Sequence, residues 1–213
     1  MSWQLNSFTQ SWAGESAIKP YLFRRGFEYL EAVRQMALVP SMVEIPRCDA
    51  AVETPSAIAK SSEIEYRIYT SIGDRIDAIN AHLNACLEAC YGCFHPEDCR
   101  PVTIFAAPLA QKFGIDGLCN ILVEPSVILI DVGRIPRQDW LNIVAHEYAH
   151  AHLGFPGHDA RFLAVMEHLC LGLGLAPPPC HPNMRLPEIE ARLRMWPPYH
   201  STTNSLAFWM RCA

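Results

Sequence analysis

The sequence is poor in lysine, in charged residues generally and in long apolar runs. Among 213 residues, lysine occurs only at Lys19, Lys60 and Lys112, and the formal net charge is −5. No run of basic residues forms the stripe that is typical of nucleic-acid-binding proteins, so direct binding to DNA or RNA is not expected. Half of the residues are hydrophobic and 18% are charged, a composition that favours a folded core over global disorder.

Neither an apolar leader nor a membrane-spanning segment is evident. The first residues are largely polar and lack the apolar core of a secretory signal. The longest apolar stretch, residues 121–132, is interrupted by Glu124, Pro125 and Asp131 and is too short to cross a bilayer. We therefore expect a cytoplasmic protein that has no membrane partner.

The nine cysteines lack the spacing of a zinc finger. Only one Cys-x-x-Cys pair occurs, Cys90 to Cys93, and no second pair follows it at zinc-finger spacing. Without a secretion signal, so many cysteines favour reduced thiols or metal ligands over a disulfide framework. Apolar spacing makes Cys86 and Cys90 small buried residues of a helix. We therefore do not expect a second metal site at Cys86, Cys90, Cys93 and Cys99.

The segment His146-Glu147-Tyr148-Ala149-His150 places two imidazoles and a carboxylate on one side of a helix. The Cβ atoms of residues i and i+4 lie about 6 Å apart on a helix. Two imidazoles at this separation can bind one zinc ion through Zn–N bonds of about 2.0–2.1 Å. Glu147 points to the same side and is placed to take a proton from a metal-bound water. We predict His146 and His150 as zinc ligands and Glu147 as the general base.

The third zinc ligand has three candidates. His158 follows His150 after a short turn at residues 154–157, and it is the preferred one. Thermolysin-like enzymes instead take a glutamate from a later helix, and Glu167 is the residue available for that role. His168 is the remaining competitor.

The run His158-Asp159-Ala160-Arg161-Phe162 resembles the second half of a known signature. SprT-like and WLM-type zinc proteases, and the small YgjP-type hydrolases, carry HExxH, a loop, and then a histidine with a phenylalanine four residues later. The spacing between the second and third histidines is longer here than in typical WLM proteins. The resemblance implies a zinc peptidase with His146, His150 and His158 as ligands and Glu147 as general base. For the SprT and WLM groups it also implies proteolysis of proteins attached to DNA.

Periodicity predicts an α+β fold with a small sheet that covers the metal helix. Apolar residues recur at spacings of three and four from Ile68 to Cys90, which predicts a long amphipathic helix. Residues 51–62 are rich in small residues and are predicted to be a linker. The predicted helices are residues 15–36, 63–91, 137–153 and 159–173, and the predicted strands are residues 102–106, 120–123 and 127–132.

Two regions are expected along the chain. Residues 1–60 form an N-terminal helical and irregular appendage, and residues 61–213 form a minimal zincin-like domain with an irregular C-terminal tail. The family resemblance covers residues 100–175 of this second region. An extended substrate is expected to pair with an edge strand, either residues 127–132 or residues 120–123.

The expected reaction is hydrolysis of a peptide bond in a protein or peptide substrate. Zinc lowers the pKa of its bound water towards 7, and Glu147 takes that water's proton and delivers it to the leaving amine. Tyr199, His200 and Arg194 are the downstream candidates for stabilising the oxyanion. The predicted cofactor is one catalytic zinc ion.

Two other functions stay open. The first is a non-catalytic binding module stabilised by a fully ligated zinc ion, in which Glu147 would have no task. The second is a zinc endoribonuclease of the YbeY sort, because Gly157-His158-Asp159 resembles the end of its three-histidine signature. Those ribonucleases typically lack a glutamate after the first histidine, and the acidic net charge does not favour RNA.

Overall fold

The structure is a computed structural model that describes residues 19–45, 55–180, 183–197 and 204–211. These residues form six α-helices and one three-stranded sheet, so the expected α+β class is confirmed. The elements are α1 (Pro20–Ala37), α2 (Pro55–Tyr91), β1 (Val102–Ala106), β2 (Gly117–Asn120), β3 (Ser126–Ile130), α3 (Trp140–Leu153), α4 (Ala160–Leu173), α5 (Leu186–Arg194) and α6 (Ser205–Trp209). No helix within these ranges is both long and apolar enough to span a bilayer.

The sheet has the strand order β1-β3-β2. Strand β3 pairs in parallel with β1 and antiparallel with β2, and all five of its residues are buried. The outer side of β1 is covered, because the backbone N–H of Ala106 donates to the side chain of Asn80 and its carbonyl accepts from the Tyr29 hydroxyl. Strand β2 is the other edge of the sheet.

The strand predicted at residues 120–123 is wrong in its position. Strand β2 occupies Gly117–Asn120, and the apolar residues after it form a turn. The cause is local, because the side-chain oxygen of Asn120 accepts a hydrogen bond of 3.0 Å from the backbone N–H of Leu122. Such an Asx turn reverses the chain and leaves the side chain of Leu122 89% exposed.

The linker predicted at residues 51–62 is helical from Pro55 onwards, and residues 51–54 lie outside the described residues. Alanine is the strongest helix former and proline fits the first helical turn, so this composition supports a helix start as readily as a linker. The boundary predicted at residue 60 falls inside α2. Of the helix predicted at residues 15–36, residues 20–36 lie in α1 and residues 15–18 are outside the described residues.

Helices α1 and α2 cross in backbone contact at two glycines. A Cβ atom on Gly26 would lie 2.0 Å from the carbonyl oxygen of Tyr69, and one on Gly73 would lie 2.0 Å from that of Leu22. Only residues without a side chain permit this approach. As a result, α1 shares one hydrophobic core with α2, α3 and the sheet.

The C-terminal tail was expected to be irregular. This expectation is wrong, because the tail contains α5 and α6. The prolines that indicated an irregular tail include Pro187, which occupies the first turn of α5, where the missing N–H has no helical partner in any case. Helix α6 is anchored by Trp209, whose indole N–H donates 2.9 Å to the buried carboxylate of Asp131 at the end of β3. Burial raises the pKa of Asp131 against the opposing effect of this donor.

Candidate metal centre

Three histidine side chains converge beside α3. His146 and His150 are buried on α3, and His158 is half-buried in the loop between α3 and α4. One ring nitrogen from each lies within 4.8 Å of the others, and the Nε2 atoms of His146 and His158 are 3.1 Å apart. Two Zn–N bonds at a tetrahedral angle separate their nitrogens by about 3.3 Å. The three side chains can therefore hold a metal ion, and they are the predicted ligand set.

The turn between α3 and α4 places His158 over the helix. Gly154 ends α3 in the left-handed region, with φ of +61°, and a Cβ atom there would meet the guanidinium of Arg100 at 2.1 Å. The side chain of Asp159 then caps α4 by accepting two backbone N–H groups of its first turn. His158 lies directly before this cap, so its position is held from both sides.

Phe162 forms the floor of the site. Its ring is fully buried, and its centroid lies 5.0 Å from that of His146, 4.5 Å from that of His150 and 4.7 Å from that of His158. The predicted resemblance to small zinc proteases depends in part on this phenylalanine. Its contact with all three imidazole rings restricts their orientations and excludes water from the side of each ring that faces Phe162.

The second histidine is oriented by a backbone carbonyl. Nδ1 of His150 lies 3.0 Å from the carbonyl oxygen of Phe155, at the start of the turn. If Nδ1 carries the proton and donates it there, the lone pair of Nε2 is directed towards the other two rings. Metal-binding histidines commonly use their other N–H in this way.

The first histidine faces the C-terminal segment. Trp196 is 6% exposed, and its ring stacks against that of His146 with an interplanar angle of 19°. The backbone carbonyl of Trp196 is close enough to His146 to raise its pKa. The Nδ1 atom of His146 is buried, but its geometry towards this carbonyl is not that of a hydrogen bond. A proton on Nδ1 would point to this carbonyl and leave Nε2 for the metal.

All three imidazoles are held in the neutral form that binds metals. Burial is the main cause, and it lowers the pKa of His146 well below its ordinary value and also lowers that of His150. Burial, together with the nearby His150 and Arg194, lowers the pKa of His158 to about 4. The charge of Arg194 acts in the same direction as burial because a like charge disfavours protonation of His158.

Metal binding should therefore persist below the pH at which exposed histidines are protonated. Protons and metal ions compete for the same ring nitrogens, and here protons bind only at acidic pH. We expect zinc affinity to change little between about pH 7.5 and pH 6. A site made of histidines with the ordinary pKa of about 6.5 would lose affinity over the same range. Isothermal titration of metal-free protein with zinc measures this, and a release midpoint near pH 6.5 would contradict it.

Glu147 lies between α3 and the edge strand β2. A Cβ atom on Gly117 would be 2.6 Å from its Oε1 atom, so the carboxylate packs closely against the backbone of β2 at this glycine. The backbone N–H of Cys119 donates to the carboxylate and stabilises its charged form, but burial dominates and raises the pKa of Glu147 to about 8. A group with this pKa can both accept and release a proton near neutral pH.

No protein-family model matches this chain, and neither a curated protein nor a solved structure matches it. The resemblance to SprT-like, WLM-type and YgjP-type proteins therefore stays a prediction. It depends on the HExxH segment, on His158 and on Phe162, all of which the structure brings together.

The alternative third ligands lie elsewhere. Glu167 and His168 are exposed on α4, and Nε2 of His168 is 2.6 Å from the carbonyl oxygen of Cys93. Of the oxyanion candidates, Arg194 ends α5, where its charge acts on His158. Tyr199 and His200 lie outside the described residues.

The cysteines near the end of α2 do not form a second group of metal ligands in the described part of the chain, where the histidine triad is the only such group. The Sγ atom of Cys93 donates to the carbonyl oxygen of Ala89, and that of Cys99 donates to the carbonyl oxygen of His95. These thiols thus contact local backbone groups. Cys86 and Cys90 are buried along α2, where burial raises both of their pKa values.

Sequence patterns did not reveal Gly117 and Trp196. Each is near the site only because a distant segment packs against α3, so neither motif spacing nor periodicity marks it. The glycine at the start of β2 was the one available signal, because glycine in a strand often marks a close approach by another group.

We expect replacement of Trp196 by alanine to raise the dissociation constant for zinc about tenfold. The indole ring of Trp196 packs against His146 and thereby holds the backbone carbonyl of Trp196 near that histidine. Loss of a group that contacts a metal ligand from outside typically weakens metal affinity 10- to 100-fold. Competition with a chelating dye measures the change. Met195, which is 77% exposed, supplies the control, and equal effects of the two alanine variants would contradict a positioning role for Trp196.

Proposed function

We propose that this chain is a zinc-dependent metallopeptidase with a zincin-like site. The observation that carries the proposal is the position of Glu147, a buried carboxylate next to the first histidine of the three-histidine group on α3, which packs against the outer strand β2 at Gly117. Three neutral imidazoles suit zinc among the common metals, although copper, iron and nickel also accept them. Three protein ligands leave a coordination position for a reactant, as catalytic zinc sites do.

Glu147 is the general base in this mechanism. Zinc, when bound, polarises the scissile carbonyl and lowers the pKa of the attacking water. Glu147 accepts the proton of that water and transfers it to the amine that leaves. Its burial supports this role, since the raised pKa of the carboxyl allows proton transfer in both directions. Arg194, whose charge already acts on His158, is the described candidate for stabilising the oxyanion.

The proposed substrate is an extended segment of a protein or peptide. Strand β3 lies in the centre of the sheet, so residues 127–132 offer no edge, whereas β2 does. The outer side of β2 faces Glu147 through the N–H of Cys119. An extended chain bound along this edge would lie beside the general base. The family resemblance extends the proposal to proteins attached to DNA.

A non-catalytic zinc-binding module is the second candidate. One observation favours it: Trp196 covers His146, and Leu193 of α5 is fully buried nearby in the same core. A C-terminal segment in this position could limit access to the metal. A YbeY-like ribonuclease has weaker support, because the chain combines an acidic net charge with a glutamate after the first histidine.

Metal content and proteolysis together test the proposal. Protein purified without a histidine tag should contain close to one zinc ion by elemental mass spectrometry and cleave an unfolded polypeptide, with cleavage sites read by mass spectrometry. A chelator should abolish cleavage, and added zinc should restore it. His158→Ala should lose both properties, whereas the matched control His168→Ala should keep them. One zinc without proteolysis would favour the binding module, RNA cleavage would favour the ribonuclease, and failure to take up zinc would refute all three.

A further inference from the structure

A cavity lies at the N-terminal end of α3, away from the histidine triad. It has a volume of about 790 Å³ and is bounded by α2, by the start of α3 with the loop before it, and by α6 with Asn204 before it and Arg211 after it. Ligand pockets typically have volumes of about 300–1,000 Å³. We call this cavity the arginine groove and define it by six of its lining residues, Arg75, Arg137, Arg211, His82, Trp140 and Phe208.

The arginine groove carries an excess of positive charge. Three guanidinium groups line it, against the single carboxylate of Asp74. Arg75 is fixed, because it donates to the hydroxyl of Ser71 and to the carbonyl of Phe208. Within the described ranges, the guanidinium groups of Arg137 and Arg211 form no ion pair with a carboxylate. Two planar donors are therefore available to an anion.

Aromatic rings provide flat apolar walls in the same groove. Trp140 is buried and held by the hydrogen bond from its indole N–H to the carbonyl of Ile135. The rings of His82 and Trp140 form a T-shaped pair with 5.2 Å between their centroids, and the guanidinium carbon of Arg137 lies 5.9 Å from the ring centroid of Trp140. On the other side, the guanidinium carbon of Arg75 lies 5.1 Å from the ring centroid of Phe208. Rings and guanidinium groups at these distances can stack with a planar ligand.

The charge of the whole chain limits the size of this ligand. With a formal net charge of −5, the protein repels an extended polyanion such as a nucleic acid, whereas the charged side chains that line the groove are three arginines and one aspartate. A small anion that fits within the groove gains the local attraction and avoids most of the distant repulsion, which salt screens beyond about 8–10 Å.

We propose that the arginine groove binds a small organic anion, in which a carboxylate or phosphate is attached to a planar apolar group. Arg137 and Arg211 bind the anionic group, and Trp140 and Phe208 contact the planar group. This site is separate from the histidine triad, so the proposal does not depend on the peptidase function.

Calorimetric titration with three small probes tests the proposal. Phenyl phosphate and benzoate represent the two anionic groups, and benzyl alcohol is their neutral counterpart. We expect at least one anion to bind more tightly than the alcohol, and the preferred anion identifies the phosphate or carboxylate class of ligand. Arg137→Gln and Arg211→Gln should each weaken its binding about tenfold, which corresponds to the loss of one charge-assisted hydrogen bond.

Arg24→Gln supplies the matched control, because Arg24 is exposed on α1 and away from the groove. This variant loses the same charge and should bind the anion as the unmodified chain does. The indole N–H resonance of Trp140, assigned by its loss in Trp140→Phe, should shift on titration. Absence of binding at millimolar concentrations, equal binding of the alcohol, or binding by Arg137→Gln and Arg211→Gln as tight as that of the unmodified chain would overturn the proposal.

Discussion

Replacement of Glu147 by glutamine is expected to lower kcat/KM for peptide hydrolysis by about 100- to 10,000-fold, the usual contribution of a general base. Zinc content should stay at one ion per chain, because the three histidines supply the ligands and Glu147 is not one of them. Glutamine has nearly the same volume as glutamate, so it fits against Gly117 and still accepts the N–H of Cys119. It cannot take a proton from water.

Steady-state hydrolysis of an unfolded polypeptide, with zinc measured on the same samples, checks this expectation. Glu167→Gln is the matched control, since Glu167 is exposed on α4 and undergoes the same chemical change. The control should retain full activity. If Glu147→Gln retained full proteolysis with zinc bound, Glu147 could not be the base. If it lost zinc as well as activity, the metal site would depend on a carboxylate, contrary to the proposed ligand set.

Replacement of Gly26 by alanine is expected to lower the free energy of unfolding by about 3 kcal/mol, the upper part of the range for overpacked sites. The new Cβ atom would lie 2.0 Å from the carbonyl oxygen of Tyr69, and backbone atoms cannot move away as a flexible side chain can. Alanine is the better helix former by about 1 kcal/mol, but this gain is smaller than the effect of separating α1 from α2. Denaturation in urea measures the change.

Gly92→Ala provides the control for this effect. Gly92 lies just after α2, and a Cβ atom there would make only ordinary contacts of 3.4 Å and 3.6 Å with carbonyl oxygens. Because the unfolded chain loses conformational freedom, this change should be neutral or stabilise the protein by up to about 1 kcal/mol. Equal stabilities of the two variants would show that the helices can separate without loss, and the close crossing would then not stabilise the fold.

Most of the helices could be predicted from the sequence, whereas the edge strand could not. The apolar spacing along α2 and the segment before Gly154 indicated helices that the structure contains. Strand β2 was misplaced because its four residues carry no alternating pattern and all are half-buried. The more apolar residues after it form a turn held by Asn120. A short strand of this kind forms because it pairs with β3, and the local sequence of β2 does not indicate this pairing.

The same division applies to the candidate site. The spacing of His146 and His150 along one helix is a local property, and Asp159 caps α4 through bonds to its own neighbours. His158 was preferred because it follows His150 after a short turn, although Glu167 and His168 were also available on spacing alone, and the structure brings His158 to the other two histidines. The contact of Trp196 with His146 joins segments fifty residues apart, and no periodicity relates them.

The sequence by itself determined the α+β class, the helix that carries the HExxH segment and the residues able to hold a metal ion. These features follow from interactions between near neighbours, which helix geometry converts into positions in space. Only the tertiary structure decided that β2 is an outer strand beside Glu147, that two glycines let α1 contact α2, and that the C-terminal segment covers the first histidine. Such contacts depend on how whole elements pack, because burial and backbone approach are properties of the assembled core.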